Sequence, residues 1–122
     1  MKKILLSLAL AATLGACASM MSSPAKMEGG AMVGPNGMTL YTFDKDAVGS
    51  GKSVCVDKCA VNWPPFMVAA GASASGDWSI VTRADGSKQW AYKGWPLYYW
   101  IKDQKAGDKT GDDVGKVWHI VK

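Results

Sequence analysis

The stretch Leu40-Tyr41-Thr42-Phe43-Asp44-Lys45-Asp46 returns 57 positions later as Leu97-Tyr98-Tyr99-Trp100-Ile101-Lys102-Asp103, with Gly37 and Gly94 three residues ahead of each copy. Both copies read Leu-Tyr-x-aromatic-x-x-Asp, which makes the chain an internal duplication. The period inside each copy is that of a strand, with Tyr and the ring two residues on facing one side and Leu facing the other. A strand with large apolar groups on both faces must be covered on both. The closing aspartates, Asp46 and Asp103, come where the strand should end. Their carboxylates are suited to accept backbone N–H groups of the following turn. A catalytic role is the sharper reading of Asp46 and Asp103, but neither copy brings a His, a Cys or a second acid at fixed spacing to complete an acid–base pair.

The rest of the second half follows the same grammar. Trp78 to Arg83 and Lys88 to Tyr92 flank Ala84-Asp85-Gly86-Ser87, a hairpin signal in which Asp-Gly supplies the positive backbone angles of a tight turn. Lys93-Gly94 turns again into the repeated strand, and Val117 to Val121 closes the chain as a last strand. Only Val54 to Ala60 offers a helical turn. The fold expected is a small all-β domain of two related β repeats over residues 37–122, meander- or sandwich-like, with repeat cores at 37–56 and 94–121.

The N-terminal part is of a different kind. Lys2 and Lys3 precede an apolar run from Ile4 to Leu14, and Leu14-Gly15-Ala16-Cys17 resembles the lipobox of bacterial lipoproteins. The run is well short of the roughly 20 residues that span a bilayer. Residues 1–16 are therefore expected to leave as a signal peptide, with Cys17 carrying lipid, so that the membrane is a partner through that anchor. Ala18 and Ser19 lack the Asp that, in the Gram-negative lipoproteins this resembles, signals inner-membrane retention, so the expected address in a Gram-negative cell is the outer membrane. Residues 17–36, rich in Ser, Gly, Ala and Met, read as a flexible tether. Five thioethers lie in or beside it, at Met20, Met21, Met27, Met32 and Met38, and thioether sulfur is the ligand type that selects Cu(I). The plain alternative is that they are flexible filler.

Loss of Lys2 and Lys3 with the leader takes the formal charge from +4 to +2. The remaining lysines alternate with Asp between Lys102 and Lys116, so nucleic acid is excluded as a partner. With Cys17 lipidated, Cys55 and Cys59 remain, and in an oxidising compartment they are expected to form a disulfide. Thiol–disulfide exchange is the alternative, though it would prefer two intervening residues rather than three. His119 is the single histidine, read as a half-buried ring with one hydrogen bond. A copper or haem role for it is the alternative, without the Cys-x-x-Cys-His of covalent haem attachment. Neither a metal nor another cofactor is expected, and two Cys with one distant His cannot complete a zinc site.

Six Trp, four Tyr and two Phe all lie between Tyr41 and Trp118, and aliphatic residues are sparse there, so most rings must be core. Trp63, beside two prolines, and Trp95, at a turn before Pro96, are the best candidates for exposure. Such rings could stack on a sugar of peptidoglycan or another glycan.

The motif residues Tyr41, Phe43, Asp46, Tyr98, Trp100 and Asp103, with Cys55 to Cys59 leading into Asn62-Trp63-Pro64-Pro65 and Asp85-Gly86 through Gln89, Tyr92, Gly94, Pro96 and Leu97, resemble a family of bacterial secreted lipoproteins. These are built of tandem repeats carrying a Tyr-x-aromatic-x-x-Asp motif and are of unknown function. The resemblance covers nearly all of the chain after the leader. It implies a lipid-anchored envelope protein with two repeats and no assigned chemistry. The copies are unequal, because only the first is followed by the cysteine pair and Trp-Pro-Pro. The function expected is that of a binding or structural module with an envelope protein or glycan as partner, and not that of an enzyme, since nucleophile–base pair, metal cage and phosphate loop are all missing from the sequence.

Overall fold

The structure is a computed structural model and describes residues 23–122; the expected signal peptide 1–16, the expected lipidation site Cys17 and Met20 and Met21 lie outside the described residues. The regular structure of the described residues is mostly strand, as expected, with seven short strands: β1 Lys26–Glu28, β2 Ala31–Val33, β3 Tyr41–Phe43, β4 Trp78–Thr82, β5 Lys88–Tyr92, β6 Trp95–Pro96 and β7 Trp118–Ile120. One helical turn, α1 (Lys58–Asn62), sits between β3 and β4, at the end of the segment where the sequence allows one. Three small antiparallel sheets result, β1–β2, β3–β7 and β4–β5–β6. Among the described residues no helix is long and apolar enough to cross a membrane.

The hairpin anticipated at Asp85-Gly86 is present, with Trp78 opposite Tyr92 and Thr82 opposite Lys88. Part of the segment 17–36, expected from the sequence to be a flexible tether, is instead folded: residues 26–28 and 31–33 are paired strands. Lys26 to Val33 forms a hairpin whose Gly29 and Gly30 take φ of 63° and 87°, the positive angles of a two-residue hairpin loop. Ala31, Met32 and Val33 are buried, and Met32 N–H donates to the Val121 carbonyl at 2.9 Å while its own carbonyl accepts from Leu40. Strands of three residues are too short to impose a period of two on the sequence; the Gly-Gly pair was the available signal.

The two motif strands meet each other. Tyr41 N–H donates to the Tyr98 carbonyl at 2.8 Å, and Tyr98 N–H returns the bond to Tyr41 at 3.0 Å. This exchange sits on a local pseudo-twofold axis relating the copies. The alternation holds as expected: Leu40 and Leu97, both fully buried, join Met32, Phe66, Trp78 and Trp90 in one cluster, while Tyr41, Phe43 and Tyr98 join Trp63 and Trp118 in another. The duplicated glycines mark where one copy presses on the other. Gly94 has φ of 88°, and a Cβ there would meet Val48 Cγ1 at 2.8 Å and Gly49 N at 2.9 Å. Neither the angle nor the space admits a side chain.

Candidate functional site

The motif aspartates Asp46 and Asp103 were read in the sequence as turn-formers, each within its own copy. The motif residues are also connected crosswise. The Tyr41 hydroxyl, from the first copy, donates to Asp103 Oδ2 of the second at 2.6 Å, and Tyr98 of the second copy donates to Asp46 Oδ2 of the first at 2.6 Å. Each carboxylate also performs the turn-closing role expected of it: Asp46 Oδ1 accepts from Val54 N–H at 2.8 Å, and Asp103 Oδ1 accepts from Thr110 N–H at 3.0 Å and its hydroxyl at 2.6 Å. All four side chains are buried. Burial, reinforced by the adjacent carboxylate, pushes both phenols well above their ordinary value. Burial likewise raises the Asp46 carboxyl, against the opposing hydrogen bonds from Tyr98 and Val54 and the charge of Arg83.

That arginine escaped the sequence reading. Arg83 is only 7% exposed. Its Nη1 donates to Gln89 Oε1 at 2.7 Å and Ser53 Oγ at 3.0 Å, and its Nη2 to the Cys55 carbonyl at 2.6 Å. Gln89 in turn donates to the Leu97 carbonyl at 2.7 Å, and Ser53 Oγ lies 2.6 Å from the Tyr98 hydroxyl. One buried network thus joins the disulfide segment, the β4–β5 hairpin and the second motif strand. Alternation could not have found it, because β4 buries Trp78 and Val81, residues of opposite phase, and Arg83 follows the last strand residue, Thr82.

Beneath the tyrosines lies a stack of four rings in the order Phe43, Trp118, Trp63, Trp100. Centroids are 4.2, 3.7 and 3.9 Å apart, with interplanar angles of 11°, 4° and 25°. Tyr41 meets Trp63 edge-on at 5.5 Å, and Tyr98 meets Trp118 edge-on at 5.2 Å. The arrangement repeats the pseudo-twofold: Phe43 and Trp100 are motif counterparts, and Trp63 and Trp118 take equivalent places, each met edge-on by one motif tyrosine. The exposed Trp63 expected from the sequence is therefore corrected, since it is 5% exposed at the centre of the stack. The Trp63 N–H donates to the Cys59 carbonyl at 2.8 Å, so α1 and the prolines aim the ring inward. Trp95 is half-buried in β6.

Cys55 and Cys59 form the anticipated disulfide. It closes the segment whose carbonyl Arg83 holds, and it packs against the ring cluster. Reducing it should lower stability by about 2 kcal/mol in the chain-entropy account of a five-residue loop. Urea denaturation with and without reductant reads this as a shifted midpoint; coincident curves would show that packing alone holds the segment.

His119 is half-buried, with Nε2 2.8 Å from Asp44 Oδ2. Asp46, Asp103 and His119 thus each have their own partners. A cleft of about 450 Å³ opens against the cluster that holds Leu40 and Leu97, walled by Phe66, Met67, Trp78 and Trp90 with Pro24 and Pro35, and no ionisable side chain lines it.

Fold and motif together define a duplicated β module whose copies exchange buried hydrogen bonds. The chain belongs to the family described as secreted repeat of unknown function, which matches it over residues 25–67 and 79–122. The match begins at residue 25 and so includes the β1–β2 hairpin in the first repeat. Comparison with curated proteins and with solved structures found no match.

Proposed function

We propose that this protein is a lipid-anchored component of the bacterial envelope, moored through Cys17, at the outer membrane in a Gram-negative cell, and that its folded part is a binding or structural module rather than an enzyme. Membership of a secreted family and the Leu14-Gly15-Ala16-Cys17 sequence support the mooring. The observation that carries the module reading is the engagement of the motif groups. Both aspartates and both tyrosines, the residues best able to do acid–base chemistry, are buried and used to bind one repeat to the other. A group held this way is not offered to a substrate. Nor is the disulfide well placed for exchange, because Cys55 is fully buried and only Cys59 is half-exposed. A Trp shelf for glycan has lost its better member, Trp63, to the ring stack.

Cells fed a palmitate analogue should label the wild-type chain and leave Cys17→Ser unlabelled. Equal labelling of both would sink the anchor. For the module role, envelope pull-down with the anchored protein should recover a partner, whereas turnover of an envelope substrate that is lost in Asp46→Asn or Asp103→Asn without loss of folding would overturn it.

A further inference from the structure

The β1–β2 hairpin converts two of the sulfur-bearing residues into a pair. Met27 and Met32 are directly opposed across the hairpin, so both side chains leave the same face with Cβ atoms about 4.5–5.5 Å apart. Both line one cavity of about 430 Å³, together with Ser23, Ala25, Lys26, Trp78 and Tyr92. Their environments differ: Met32 is 4% exposed and fixed in the core, while Met27 is 51% exposed. One thioether is therefore held in place and the other is free to close over it on a flexible stem.

We infer that Met27 and Met32, with the indole of Trp78, form a site for a soft monovalent cation, Cu(I). The chemistry of the wall selects the ion. The site offers two neutral thioethers and no imidazole, thiolate or carboxylate, a donor set that favours Cu(I) over Zn(II) or Cu(II). The ionisable groups nearby are accounted for. Lys26 contributes to the wall, but its ammonium lies 3.6 Å from the Glu28 carboxylate, and Lys26 and Glu28 alternate with Met27 along the strand and so face the other way. Of the two rings, Tyr92 already has the Lys93 ammonium over it at 5.4 Å. Trp78, with its centroid 5.0 Å from Tyr92, is left to present its π system to a cation. The site does not depend on the lipid anchor. In sequence Met20 and Met21 stand three and two residues ahead of Ser23, which lines the same cavity.

The test uses the full chain carrying Cys17→Ser, which removes the one thiol outside the disulfide, in detergent micelles with the disulfide intact. It is titrated anaerobically with Cu(I) in competition with bathocuproine disulfonate. One Cu(I) per chain is expected, with a change in tryptophan fluorescence that is lost in Trp78→Phe. Met27→Leu and Met32→Leu should each weaken binding at least tenfold, while Met38→Leu and Met67→Leu should not. Leu is close to Met in volume, so Met32→Leu should fold, and the exposed Met27→Leu keeps the test decisive if it does not. Failure to compete for Cu(I), binding unchanged in the Met27→Leu/Met32→Leu double variant, or a loss confined to Met20→Leu/Met21→Leu would overturn the site. Palmitate labelling is a separate readout, so this site and the anchor can fail independently.

Discussion

Truncation of Trp63 to alanine is expected to remove about 3–5 kcal/mol of stability, the range for deleting a buried aromatic ring from a core that cannot close around the gap. The ring is stacked on both faces, by Trp118 at 3.7 Å and Trp100 at 3.9 Å, and met edge-on by Tyr41. Its removal leaves a slot between two flat neighbours, of which Trp118 is backed on its far side by Phe43 at 4.2 Å and half-buried Trp100 ends the stack. Total stabilities of small domains are about 5–15 kcal/mol, so this one change threatens the folded state. Trp118→Ala should cost a similar amount. The double variant should cost less than the sum, because both single changes delete the same stacking contact. Half-buried Trp95→Ala, outside the stack, is the control and should cost far less. Urea denaturation followed by far-UV circular dichroism measures all four; a Trp63→Ala loss no greater than that of Trp95→Ala would mean the stack is not the core.

The second large effect is expected in base. Tyr41 and Tyr98 are raised by burial and by their carboxylate partners, whereas in the unfolded chain they titrate near 10. Each therefore retains in the folded state a proton that the unfolded state releases, and burial raises Tyr99 in the same direction, adding to the slope these two give. Their contribution is fully present below about pH 10 and is lost as pH climbs above it, at about 1.4 kcal/mol per unit for each tyrosine. With both acting, stability should fall by nearly 3 kcal/mol per unit above pH 10, enough to unfold the domain within a few units. Tyr41→Phe and Tyr98→Phe should each remove about half of that slope, whatever they do to stability at neutral pH. Denaturation midpoints between pH 8 and 12 give the slope directly. A flat profile would show that the phenols titrate freely in the folded chain.

Much of this was legible in the sequence because a strand long enough to show a period declares its faces. The duplicated Leu-Tyr-x-aromatic pattern placed Leu40 and Leu97 on one side and the motif rings on the other, as found. The Asp85-Gly86 hairpin and the Cys55–Cys59 bond were equally readable, since turn angles and thiol count are local properties. What escaped reading was long-range. Nothing in either motif says that Tyr41 will bond Asp103 rather than Asp46, because that choice depends on the two strands pairing antiparallel through Tyr41 and Tyr98. Trp63 was misjudged for the same reason. Its prolines mark a turn, but its three ring neighbours come from Tyr41, Trp100 and Trp118, brought together only when both repeats close. The Lys26–Val33 hairpin was missed because three-residue strands carry no period.

The crossed tyrosine–aspartate bonds make this single chain resemble a fused dimer. Neither half completes its own acceptor set, so a gene encoding only one copy would have to find a second molecule to fill it, and joining the two in one polypeptide removed that dependence on concentration. Once fused, the halves were released from identity everywhere except at the junction. The first carries a cystine bridge and the second the buried guanidinium of Arg83 and a threonine, Thr110, at the position of Ser53, while the phenol and the carboxylate that each half supplies to its twin are the same in both.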